Sequence, residues 1–358
     1  MNQSNNKKKS PILFVLFAFV AILIITINTN LQSRKTNDIS IPGETIKNLY
    51  TLDNQLIAVT DAYMFFVWDW NDIKAQPVSI KSIENSIFCY GQNIICSYSE
   101  NTGTILLSDT EGREKKSFNI GTNWQFRQLK ATTDGKLVGF TMMDTSKNSE
   151  NNMYKIFQLG LIDTNELKIK NTYKNSPDDN EYYIKNFAIS KNGSLFALAG
   201  RKNNNDWVAL FDMENTQLLW EKTFPDTASS YSRLNEIAFS PDNKIVVAGL
   251  IDFHLYTFDS ANGNILNKRS MEQKKHMQKE RLRISGLQIS PDGSFLAAGY
   301  EPPGVIWLWN LKKSVSKPKK MTTGNTHISN IAFSNDSTKI VSAGIVPADK
   351  TLIWQIKK

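Results

Sequence analysis

The sequence predicts an all-β chain, a seven-bladed β-propeller preceded by one N-terminal transmembrane helix. Three observations carry this. The segments AISKNGSLFALAG (188–200), AFSPDNKIVVAGL (238–250), QISPDGSFLAAGY (288–300) and AFSNDSTKIVSAG (332–344) repeat one pattern. Each is followed by an alternating apolar run with an aromatic near its end: 207–212, 254–259, 305–310 and 351–356. At the other end of the chain, three lysines precede an unbroken apolar stretch.

That stretch, 12–27, has Thr26 as its single polar residue and follows Lys7, Lys8 and Lys9. It is slightly shorter than the ~20 residues that span a bilayer, and its flanks can occupy the interface. No small-x-small cleavage site follows, which favours an uncleaved signal anchor over a removed signal peptide. The expected order is a cytoplasmic basic segment (1–10), a transmembrane signal anchor (11–31), a linker (32–36) and the propeller (37–358). The lysine cluster places the N-terminus in the cytoplasm and the propeller extracytoplasmic, on the periplasmic or extracellular side.

In each repeat an apolar run ends at Ser, a turn of Pro, Asp, Asn or Gly follows, and a second apolar run closes on a small residue and Gly. This is β-hairpin chemistry. The turn residues Asn192, Asp242, Asp292 and Asp336 recur at nearly the period of a four-stranded blade, about 40–45 residues plus insertions. The hairpin supplies strands one and two, the aromatic run strand three, and a more polar run strand four. The same template places earlier blades at 50–70, 85–109 and 133–163, for seven in all. Blade seven has only three strands before Lys358. The segment NDISIPGE (37–44) is expected to supply its fourth and so hide two sheet edges.

These residues resemble the WD40 repeat family, whose consensus runs from a Gly-His pair through a Ser-Pro-Asp-Gly turn to a terminal Trp-Asp. Blade seven has His327, Ser342 and Trp354 where the family has its structural His, Ser and Trp, with Asp349 one residue nearer the Trp than the family's Asp. In blade five Asp252 matches, while Phe258 replaces the Trp. The resemblance implies a rigid ring that presents binding surfaces.

The net charge is +8, and 268–320 accounts for all of it, with twelve Lys and Arg against four acids. This basic region suits an anionic ligand, a polymer or lipid headgroup. It splits into a stretch between blades five and six and another around the outer strand of blade six. Nucleic acid is a poor partner for an exported domain. Cys89 and Cys96 face each other if Gln92-Asn93 is a two-residue hairpin loop. They then read either as a disulfide or as two small buried residues.

In a propeller the first-to-second and third-to-fourth turns open on one face, and the remaining connections on the other. The first set reads as short throughout. The second holds the expansions, at 144–153, 174–181, 201–206, 225–232, 271–281, 300–304 and 345–350. Long loops gathered on one face of a rigid ring suit partner binding. Arg201, Trp207, Tyr231, Lys275, Arg281 and Tyr300 are the candidate contacts, as aromatic or basic groups in or beside those loops.

No metal-binding, phosphate-binding or nucleophile motif is present, and no metal or cofactor is expected. The expected function is a non-catalytic, membrane-anchored interaction platform that binds a protein partner. The alternatives are an anion binder or a propeller enzyme with a central-channel site. An enzyme could be lactonase- or hydrolase-like, with Asp61, Asp144 and Asp252 converging in the channel. It could also be quinoprotein-like, a reading prompted by Trp220.

Overall fold

The computed structural model describes residues 34–356 except 40, 42–43, 63, 82–86, 92–93, 110, 133, 148–153, 177–179, 204, 225–235, 250–253, 271–282, 302–303, 314–316 and 345–348. The strands form seven four-stranded antiparallel sheets, the blades of a propeller. Blade one runs from Ile46–Leu52 to Val78–Lys81, blade two from Ile87–Gly91 to Glu114–Asn119 and blade three from Trp124–Ala131 to Lys168–Lys174. Blade four runs from Tyr182–Ile189 to Gln217–Phe224, blade five from Glu236–Phe239 to Ile265–Ser270 and blade six from Arg283–Ile289 to Lys319–Thr322. In these six, chain order is also spatial order. The first strands pack against the first strands of neighbouring blades and so line the central channel.

Burial follows from this layering. In blade three the second strand, Leu137–Asp144, is buried at seven of its eight positions, whereas the fourth, Lys168–Lys174, alternates exposed and half-buried. A strand sandwiched on both faces must be continuously apolar, while an edge strand can show one face to water.

Blade seven joins Asn330–Phe333, Lys339–Ala343 and Leu352–Gln355 to an outer strand from the other end of the chain, Arg34–Asp38. Arg34 pairs with Gln355 and Asp38 with Leu352. The closing strand therefore begins inside the expected linker (32–36) and overlaps the expected segment (37–44) only at its start. The reason lies just downstream. Ile39 N donates to Thr351 O (3.0 Å), and Ile39 and Ile41 pack on the cluster of Ile46, Leu49, Trp68 and Ile353. This stretch is held at the seam between blades seven and one, so strand pairing must precede it. The expected anchor (11–31) and the basic segment before it lie outside the described residues. Among the described residues no helix is long and apolar enough to cross a membrane.

Five first-to-second turns share one set of hydrogen bonds. In blades three to seven, Thr132, Ser190, Ser240, Ser290 and Ser334 bond to the side chains of Asp134, Asn192, Asp242, Asp292 and Asp336 (2.6–2.9 Å). The same five hydroxyls accept from the backbone N–H that opens strand two, as with Leu195 N on Ser190 Oγ at 2.8 Å. The next turn residue has positive φ: Gly135, Gly193, Asn243, Gly293 and Ser337. The repeated Ser-x-Asp turns of the sequence are thus side-chain staples that fix hairpin register.

Two third-to-fourth connections, 70–77 and 311–318, are longer than the short turns expected throughout. In the first, Trp70–Asp72 forms a 3-10 turn, Trp70 is buried, and its carbonyl accepts from Lys339 Nζ (2.9 Å) in blade seven. The extra length covers that seam.

Candidate functional site

The channel wall is built from the first strands, and four of them carry a β-bulge at the same register. The irregularity falls between Ile46 and Asn48, Phe126 and Gln128, Ile184 and Asn186, and Ile284 and Gly286. A bulge inserts one residue and re-aims its side chain. The inserted residues are Lys47, Arg127, Lys185 and Ser285, three of them cations. The bulge also explains Gly200 on the second strand of blade four. A Cβ there would lie 2.1 Å from the Tyr183 carbonyl oxygen, so only glycine fits.

The residue after each bulge belongs to a polar ring. Asn48, Gln128, Asn186, Glu236 and Asn330 occupy this position in blades one, three, four, five and seven, with Gly286 in blade six. In blades three to seven they stand four residues before the Ser or Thr of the turn staple. Asn48, Gln128, Glu236 and Asn330 line a channel cavity of about 760 Å³ together with Lys47, Arg127 and Lys130. Its volume falls within the range typical of ligand pockets. Gln128 Oε1 is buried without a hydrogen-bond partner among the described residues.

The Arg127 guanidinium lies 4.4 Å from the Tyr183 ring centroid, a cation–π contact between blades three and four. Lys130 Nζ donates to Asn186 Oδ1 and to the Phe187 carbonyl (2.8 Å). Burial pulls the Lys130 ammonium below its usual range. Burial also pushes the Glu236 carboxyl up to about 7, against the charges of Lys130 and Lys185 and a hydrogen bond from Asn186. The cavity wall thus carries the cations Lys47, Arg127 and Lys130 beside the Glu236 carboxyl. Among the described residues no group of three His, Cys, Asp or Glu is placed to hold a metal.

The residues singled out from sequence are placed differently. Trp207 is buried (1% exposed) and donates from Nε1 to Glu221 Oε2 (2.7 Å), inside an aromatic cluster with Phe157 and Tyr182. Tyr300 is also buried, in the core with Leu287 and Trp309. Both side chains are core, which corrects the expectation that they contact a partner. The physical reason is that each lies within a strand packed on its neighbours, not in the adjoining loop. Arg201 is half-buried, at the loop-face end of its strand, opposite Tyr183. Tyr231, Lys275 and Arg281 lie outside the described residues, as does Asp252.

In blade seven His327 is half-buried, and Ser342 and Trp354 are buried. Ser342 Oγ and Trp354 Nε1 have no hydrogen-bond partner among the described residues, so this Ser and Trp are packed rather than networked. Asp349 instead accepts from Thr326 N (3.2 Å). Asp61 and Asp144 are absent from the channel lining, and Asp144 caps a turn by accepting from Ser146 N (2.9 Å). Trp220 donates to the Ser260 carbonyl (2.9 Å) and packs on Gly263 in blade five, so its role in this fold is blade docking.

Cys89 and Cys96 are directly opposed in register, with a two-residue loop between Gly91 and Ile94. Both are buried free thiols; burial and the Cys89 thiol push Cys96 well up. In the basic region, Lys312, Lys313, Lys317 and Lys320 are exposed at the outer edge of blade six, away from the channel.

Sequence reasoning missed Lys47, Arg127, Lys130, Lys185 and Glu236. Counting back four residues from each turn Ser or Thr would have aligned the polar ring. The bulges leave no sequence signal of their own. Comparison of the chain with protein-family models and with curated proteins returns no match.

Proposed function

We propose that this chain is a membrane-anchored, WD40-like propeller that works by binding, holding a protein partner on its loop face outside the cytoplasm. The Lys7–Lys9 cluster and the apolar run 12–27 support the anchor and the orientation. The Ser-Asp staples support kinship with WD40 repeats. The observation that carries the binding reading is the in-register bulge in blades one, three and four. It brings Lys47 and Arg127 into the channel lining, with Lys185 close enough to act on Glu236, all at the loop-face half of the first strands. The polar cavity runs from Lys47 and Arg127 toward the first-to-second turns at Asp53, Pro241 and Asp292, and its cationic end suits an acidic segment of a partner.

The test is capture from crosslinked native membranes through a C-terminal tag, read by mass spectrometry. The reading expects a stoichiometric partner that is lost when Lys47, Arg127 and Lys185 are changed together to Glu, or when 271–281 is replaced by Gly-Ser. Recovery of the same proteins with both variants would overturn it.

A further inference from the structure

In blades one to six the third strand ends in a turn whose first residue accepts a hydrogen bond from the N–H two residues on. In blades one to five that residue is an aspartate: Asp69, Asp109, Asp163, Asp212 and Asp259. In blade six it is Asn310, which keeps the same bond, from Lys312 N at 3.0 Å. The turn geometry is conserved while its negative charge is removed. The connection that follows, 311–318, adds Lys312, Lys313 and Lys317, and the outer strand opens with Lys319 and Lys320. Lys312, Lys313, Lys317 and Lys320 are exposed.

The topology places this cluster beside the point where the chain enters the ring. The strand Arg34–Asp38 is antiparallel to Leu352–Gln355, which runs from the loop face to the turn face. Arg34 therefore stands at the turn face, on the outer edge of blade seven. Blade six is its neighbour, and its lysines occupy the same face and the same outer edge. Between Ile27, where the apolar run ends, and Arg34 lie residues 28–33. Six residues reach at most about 20 Å when extended, and the headgroup layer consumes part of that reach.

We propose that Lys312, Lys313, Lys317 and Lys320 of blade six form a docking surface for anionic phospholipid headgroups of the membrane in which the chain is anchored. This rests on the anchor reading. The short tether brings the edge of blades six and seven to the bilayer, and an anionic surface attracts the lysines of blade six. The same surface repels the aspartate-bearing turns of blades one to five. The ring then tilts so that its turn face meets the membrane at blades six and seven and its loop face points away, open to a partner.

The experiment uses the full chain in lipid nanodiscs of phosphatidylcholine alone and of phosphatidylcholine with phosphatidylglycerol. Lysine acetylation rates are read by mass spectrometry. Co-elution with the discs reads the anchor; acetylation reads the surface. Lys312, Lys313 and Lys317 should be modified about threefold or more slowly in the anionic discs, and high salt should abolish the difference by screening. Lys47 and Lys185, on the loop-face half, should react equally in both. A chain retained in the discs with equal rates at the blade-six lysines overturns the docking surface and leaves the anchor standing. A chain that does not stay with the discs overturns both.

Discussion

Lys130 in blade three and Glu236 in blade five share one hydrogen-bonding partner, Asn186, in the blade between them. Three first strands are thereby joined by side chains along the channel wall, in addition to the backbone bridge of Tyr154 and Tyr182 between blades three and four. The arrangement places an ammonium and a carboxyl in a confined site, and burial works against the charge of both.

The Glu236 carboxyl makes stability pH-dependent. Its folded-state value is about 7 against an ordinary 4.5, so the native state binds more protons than the unfolded state between those limits. Its contribution is full below about pH 4.5, declines as pH rises and is gone above about pH 7. The shift corresponds to at most about 3 kcal/mol. Melting temperatures of the native chain and of Glu236→Gln, taken from pH 5 to 8, should show a decline that the variant lacks. Parallel curves would refute this account of the site.

Lys130 and Glu236 should also be energetically coupled. Lys130→Met leaves the carboxyl without the cation that acts on it most strongly and Asn186 Oδ1 without that donor, at a cost of about 2–4 kcal/mol. With Glu236→Gln already present, the same change should cost less, with a coupling of about 1–3 kcal/mol. Denaturant unfolding of the four proteins in the cycle measures this; additive effects would mean the two groups do not sense each other.

Two turn residues with the same backbone conformation should respond in opposite ways to glycine. Asn243 and Ser337 occupy equivalent positive-φ positions, at 60° and 59°. Asn243 Oδ1 is buried without a partner among the described residues, so Asn243→Gly should stabilise by about 0.5–1 kcal/mol. Ser337 Oγ instead accepts from Asp292 N (3.0 Å) and ties blade seven to blade six. Ser337→Gly relieves the same strain but strips that acceptor, and should be neutral or destabilising. Thermal unfolding of both variants decides the matter, and a gain at Ser337 equal to that at Asn243 would count against the inter-blade bond.

The blades were legible because their signals are local. A Ser, an Asp two residues on and alternating apolar residues specify a hairpin without any distant contact, so five staples could be read from the chain. The channel was not legible, because its residues gain meaning only when first strands converge from separate blades. Glu236 reads in sequence as one more surface acid; Lys130 and Asn186, 56 residues apart, meet only because blades three and four pack side by side. Trp207 and Tyr300 misled for a related reason. An aromatic next to a loop looks like an exposed anchor until the neighbouring blade covers it.

Ring closure by Arg34–Asp38 supplies the last test. This strand gives Leu352–Gln355 its outer partner, and without it Leu352, Ile353 and Trp354 would form an open edge of apolar and aromatic residues. The Lys350–Asp38 ion pair (3.2 Å) is surface-exposed, so it adds little. Removing residues 1–33 keeps the strand, whereas removing residues 1–38 deletes it. The first truncation should melt like the rest of the ring does in the full chain, and the second should lose several kcal/mol, on the order of half a typical domain's stability. Exposed edge strands also pair with one another, so the shorter protein should self-associate as it loses stability. Matching melting temperatures and monodisperse behaviour for both would mean that blade seven is stable with three strands, and that closure contributes register without stability.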